Sequence, residues 1–188
     1  MKQQVLIDDL LQRENKGYGH ILYHYTDNDI YLSNVSAFIL NGVKKGSHVV
    51  WVDKDPNINR LKRDLPGKLS PAEFAKVHIY NNFDFYYSNG NFHPETIRAH
   101  LKKTLDQLLD QEAGIYTWGA VEWGDDAEMF SLIEEYEHDL NSFVEEHELI
   151  SVCAYHAERT PETLKESLMK THGILMTDKE IVPLNVLK

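Results

Sequence analysis

The chain has 188 residues and a formal net charge of −11, with 30 acidic against 19 basic side chains. That balance argues against nucleic acid as a partner, since a phosphate backbone is neutralised by Lys and Arg, and the length fits one domain burying roughly 70% of its extended surface. No apolar run approaches the roughly 20 residues that span a bilayer, the start MKQQVLIDD lacks the regions of a signal peptide, and the single cysteine allows neither an internal disulfide nor a thiol-rich metal site, so a cytoplasmic protein without membrane contact is expected.

In chain order, QVLIDDLLQREN has the apolar spacing of two or three helical turns, broken by Gly17 and Gly19, which marks residues 1–19 as a helical arm and 20–188 as a single body. HILYHY at 20–25 is a strand. Thr26 and Asp27 then cap a helix carrying Ile30, Tyr31, Val35, Phe38 and Ile39, which ends at Asn41-Gly42 before the strand SHVVWVD at 47–53. A short helix around Ile58, Leu61 and Leu65 halts at Pro66-Gly67, Ser70-Pro71 opens another, and Val77 to Tyr80 forms a third strand. NNFDFYYSNGNFH at 81–93 combines turn residues with aromatics, whose rings either fill the end of the core or form a lip over a site.

From Pro94, Ile97, Leu101, Leu105, Leu108 and Leu109 form one helical stripe. The run from Ile115 to Trp123 reads as a strand, Asp125 and Asp126 as caps, and Met129 to Val144 as an amphipathic helix with an acidic outer side. LISVCAY at 149–155 has the continuous apolar character of a strand covered on both faces. After a helix holding Leu164, Leu168 and Met169, the segments ILMT and EIVPL form a terminal hairpin or two short edge strands, where Pro183 fits best. Repeated strand–helix–strand units give an α/β fold: a mainly parallel sheet in a three-layer core with helices on both faces.

Nucleotide hydrolysis on such a scaffold calls for GxxxxGK and Ser or Thr after the first strand. The junction YHYTDNDIYLSN has no glycine or lysine and two aspartates, so the phosphate loop is degenerate, and GxGxxG is absent too. His20 and His24 share a strand face but lack an identifiable third ligand, so no metal site is assigned. His138 and His147 read as solvated surface, and Cys153 as a buried, inert thiol. Among the carboxylates Asp27, Asp53, Glu122 and Glu137, Asp53 ends a strand at the edge where open sheets bind ligands. Glu122 sits between Val121 and Trp123 in a run that reads as interior, where a carboxylate needs a partner or a raised pKa. Trp118, Trp123, Tyr25 and Tyr155 complete an apolar pocket with few polar groups. No nucleophile elbow is present, so no enzymatic activity is expected.

Several stretches together resemble the MEDS family, sensory domains of regulators of one-carbon metabolism such as the dichloromethane-dehalogenase repressor. They are residues 20–53, IYTWGAVEW, Tyr136-Glu137 before Leu140-Asn141, VCAYHAE at 152–158 and THGILMTDKEIVPLN at 171–185. The resemblance implies a RecA- or KaiC-like core without a working phosphate loop, and a ligand class of hydrocarbon derivatives. The positions it carries over are His20, Tyr25, Glu122, Trp123, Tyr136, Glu137, Cys153, Tyr155 and His172. The resulting expectation is a sensory domain that binds a small molecule, needs no cofactor, and signals through a protein partner such as a kinase or regulator, or through a homo-oligomer. The competing readings are an interaction adaptor and a cryptic nucleotide-binding protein.

Overall fold

The computed structural model describes residues 6–7, 10–11, 19–109, 113–125 and 128–184. Seven strands form one sheet: β1 (His20–Tyr25), β2 (His48–Asp53), β3 (Val77–Asn81), β4 (Ile115–Ala120), β5 (Ile150–His156), β6 (Ile174–Met176) and β7 (Ile181–Pro183). Their order is β3-β2-β4-β5-β1-β6-β7. Every neighbouring pair is parallel except β6 and β7, which form an antiparallel hairpin at the edge.

The helices are α1 (Asn28–Lys44), α2 (Asp55–Asp64), α3 (Pro71–Phe74), α4 (Asn82–Tyr86), α5 (Pro94–Leu109), α6 (Met129–Glu146) and α7 (Glu162–Leu168). Because strand side chains alternate between faces, β1 and β5 each feed two cores. Ile21, Tyr23, Tyr25, Val152 and Ala154 turn toward α1 and α2. Leu22, Cys153 and Tyr155 turn toward α5, α6 and α7. The result is the expected three-layer α/β core. β2 is buried at all six positions, as its unbroken apolar run requires of a strand with helices on both sides.

Asp27 caps α1, accepting from the backbone N–H groups of Asp29 at 2.8 Å and Ile30 at 3.0 Å. In the aromatic segment, Phe85, Tyr86 and Phe92 are buried in the α5–α6 core, while Phe83 is exposed and stacks on Tyr87. The rings thus fill the end of the core. Gly119 of β4 makes room for one of them, since a Cβ there would lie 2.6 Å from the Tyr86 hydroxyl oxygen.

Three expectations shift. The fourth strand stops at Ala120, so Val121 to Gly124 leave the sheet. Helix α6 opens at Met129, beyond Asp125, and Asp126 lies outside the described residues. The arm proposed for residues 1–19 also falls largely outside them; Ile7, Leu10 and Leu11 are helical and buried against the α1-side core. Among the described residues no helix is long and apolar enough to cross a membrane.

Candidate functional site

The carboxyl ends of β1, β2, β4 and β5 carry Tyr25, Asp53, Ala120 and His156, and beyond them lie two adjoining hollows of about 500 Å³ and 110 Å³. Trp123 and Arg159 line both. The Arg159 guanidinium lies 4.8 Å from the Trp123 ring centroid, donates to the Trp123 carbonyl and pairs with Glu122. Glu122 was expected inside. With the chain leaving the sheet after Ala120, its side chain is 37% exposed and neutralised by Arg159. The sequence reading missed Arg159, although its place just past β5 satisfies the same carboxyl-edge rule that selected Asp53. Tyr25 closes the smaller hollow, stacked on Tyr31 at 4.3 Å with His156 edge-on at 5.0 Å.

The turn after β1, where a phosphate loop would sit, is tied down by Asp178 from the β6–β7 hairpin. Its carboxylate accepts from the Thr26 N–H at 2.8 Å, the Thr26 hydroxyl at 2.7 Å, the Asp27 N–H at 3.0 Å and the Tyr23 hydroxyl at 2.7 Å. Burial works to raise the Asp178 pKa, but these hydrogen bonds outweigh it and hold the carboxyl below its ordinary range. The backbone donors that would meet a phosphate are therefore already engaged, two by Asp178 and two by Asp27.

Asp53 is fully buried and its oxygens accept from Tyr31, Trp51, Asn57 and the Lys54 N–H. Burial raises its pKa in spite of those bonds. Trp118 donates to the Tyr31 hydroxyl at 3.0 Å from within the α1-side core and does not reach the cleft. These two residues brace the edge of the sheet from below.

The other positions gather on the opposite face, under α6. His20 opens β1, Cys153 stands in mid-β5 beside Leu22, Glu137 projects from α6, and His172 precedes β6. All four are buried, and their nitrogen, sulfur and oxygen atoms lie within 4.8 Å of one another. Glu137 Oε2 is 3.2 Å from His20 Nε2 and 3.5 Å from His172 Nε2. Cys153 Sγ is 3.5 Å from His20 Nε2, and the two imidazoles stack at 3.8 Å. The Tyr155 hydroxyl donates to Glu137 Oε1, while Tyr136 packs edge-on against Tyr86 and Phe92.

Burial, then neighbouring His20, pushes His172 down to about 3, leaving it neutral. Burial, reinforced by the Glu137 charge, raises the Cys153 thiol and the Tyr155 phenol. The assignment of no metal site thus meets a four-donor cluster of metal-ligating types. It was missed because helical and strand periods relate residues within one element, whereas these come from β1, α6, β5 and the loop before β6. His24, the neighbour considered on β1, is not among the four.

Residues 19–173 match the family model for MEDS, described as the MEthanogen/methylotroph, DcmR Sensory domain. No curated protein matches the chain.

Proposed function

The chain belongs to the MEDS family of sensory domains, and from that premise we propose that it is a non-catalytic receptor for a small, largely apolar molecule bearing one polar group. The binding place is the cleft at the carboxyl edge of the sheet, and its occupancy is passed to a partner protein. The observation that carries this reading is the convergence there of two aromatic walls, Tyr25 and Trp123, with the Arg159–Glu122 pair. The rings would cover a short hydrocarbon derivative while the Arg159–Glu122 pair, with Lys54, Asp125, His156 and Glu158 also on the lining, orients its polar atom. Asp178 speaks against a nucleotide: its carboxylate sits on the N–H groups of Thr26 and Asp27, so a phosphate arriving there meets a negative charge instead of donors.

Thermal unfolding of the purified chain with a panel of small alcohols, aldehydes and halogenated hydrocarbons tests the reading. A ligand present at about 100 times its Kd stabilises by roughly 2.7 kcal/mol, and Arg159→Ala should remove that shift while MgATP gives none. Stabilisation and turnover of MgATP, or a ligand shift that Arg159→Ala leaves intact, would refute the proposal.

A further inference from the structure

We propose that His20, Glu137, Cys153 and His172 form a tetrahedral site for a thiophilic divalent cation, with zinc the best fit. Around a zinc ion bonded at about 2.0–2.3 Å, neighbouring ligand atoms stand about 3.3–3.7 Å apart; three of the six donor separations, at 3.2, 3.5 and 3.5 Å, are already close to that, and with the whole set inside 4.8 Å a small contraction would bring in the rest.

The second atoms of the ligands are fixed in the same sense. His172 Nδ1 lies 2.6 Å from the Leu168 carbonyl and His20 Nδ1 lies 3.0 Å from the Thr171 carbonyl. A carbonyl only accepts, so both Nδ1 atoms carry the proton and both Nε2 atoms face inward. Tyr155 holds Oε1 of Glu137, leaving Oε2 for the centre. Backbone carbonyls and a phenol behind the ligands are the outer-shell arrangement that metal-bound histidines and carboxylates use.

The centre itself is frustrated without a cation. Glu137 Oε2 and His172 Nε2 are buried and make no well-angled hydrogen bond, although buried polar atoms are nearly always paired. One added proton serves at most one imidazole–carboxylate contact. A divalent ion would serve both imidazoles, the carboxylate and the thiolate together. Four protein donors leave no open position for substrate, which marks a structural or sensing site instead of a hydrolytic one. An approach exists beside His20, where Asn141, Glu145 and Glu148 line an open groove of about 390 Å³.

The test uses the full chain, stripped with a chelator and titrated with Co²⁺, then with Zn²⁺ in competition. Cys153 is the only cysteine, so a thiolate-to-cobalt charge-transfer band reports this site alone. One equivalent of Co²⁺ should produce that band with tetrahedral visible absorption, and Zn²⁺ should abolish both. Cys153→Ser should remove the band, and His172→Gln should weaken Zn²⁺ binding by more than about 10-fold, beyond the smallest effects of outer-shell changes; His24→Gln should alter neither. Cobalt bound by the wild-type chain without the band, or no cobalt bound at all, overturns the proposal whether or not the variants fold. The titration is run with no ligand added to the cleft, so the band and its loss are read whether or not the receptor reading above holds.

Discussion

Replacing Asp178 by Ala tests whether this carboxylate locks the turn between β1 and α1. Four donors lose their acceptor. Tyr23 is fully buried, and although it still accepts from Asn34 at 2.9 Å, its O–H is left without an acceptor, at a cost of about 1–3 kcal/mol. The Thr26 and Asp27 donors are exposed and return to water, adding at most about 0.5 kcal/mol each. The expected total of about 1–4.5 kcal/mol is measured by urea unfolding at neutral pH. Tyr23→Phe in the same chain should recover little, because the buried Asn34 amide, which donates to that hydroxyl at 2.9 Å, then loses its acceptor in turn. The pH dependence has a definite sign. Since the folded-state carboxyl lies below its unfolded value of about 3.9, its contribution is complete above that value and vanishes as pH falls through the folded pKa. The gap between wild type and variant should therefore be flat above about pH 5 and close in acid. A gap under about 0.5 kcal/mol, or one unchanged by acid, would refute the reasoning.

Asp53→Asn keeps the shape but turns an amide NH₂ toward two of the four groups that donate to the carboxylate, and should destabilise by about 2–4 kcal/mol in the same unfolding assay; a loss under about 1 kcal/mol would mean that the network does not hold the end of β2. Tyr155→Phe removes the one hydroxyl that bonds Glu137 Oε1 and should lower stability by about 1.5–3 kcal/mol, the range for a hydrogen bond to a charged group. With that bond gone, Co²⁺ affinity should no longer respond to a ligand in the cleft, and a response of unchanged size would refute a role for Tyr155 in linking them.

The architecture was legible because its elements carry their own periods. HVVWVD can be buried on both faces only in the middle of a sheet, and the stripe from Ile97 to Leu108 admits no other state than a helix against one. The end of β4 was not legible: Val121 and Trp123 are as apolar as the strand before them, and only the tertiary turn toward Arg159 takes them out of the sheet. Trp118 was grouped with the pocket for the same reason. Its partner across the ladder, Trp51, faces the α1-side core, and that pairing is a property of register. His20, Glu137 and His172 were marked by family resemblance, but their mutual distances depend on a parallel β1–β5 pair and a helix laid over it. No local spacing encodes that.

Two groups of site residues, on different parts of the sheet, are joined at Tyr155. Its ring lies 5.4 Å from that of Trp123 in the cleft wall, and its hydroxyl holds the carboxylate of the buried quartet. Packed interiors move between discrete arrangements more readily than they deform, so a ligand that displaced Trp123 would act on Tyr155 and, through it, on Glu137. The energy available is of the right size. A hydrogen bond to a buried charge contributes about 1.5–3 kcal/mol, and coupling between two binding sites is typically about 1–3 kcal/mol. With the cleft and the quartet occupied as proposed, one bond made or broken at Glu137 would be enough to couple them along the α6 face of the sheet, and by reciprocity the cation would bias the cleft to the same extent.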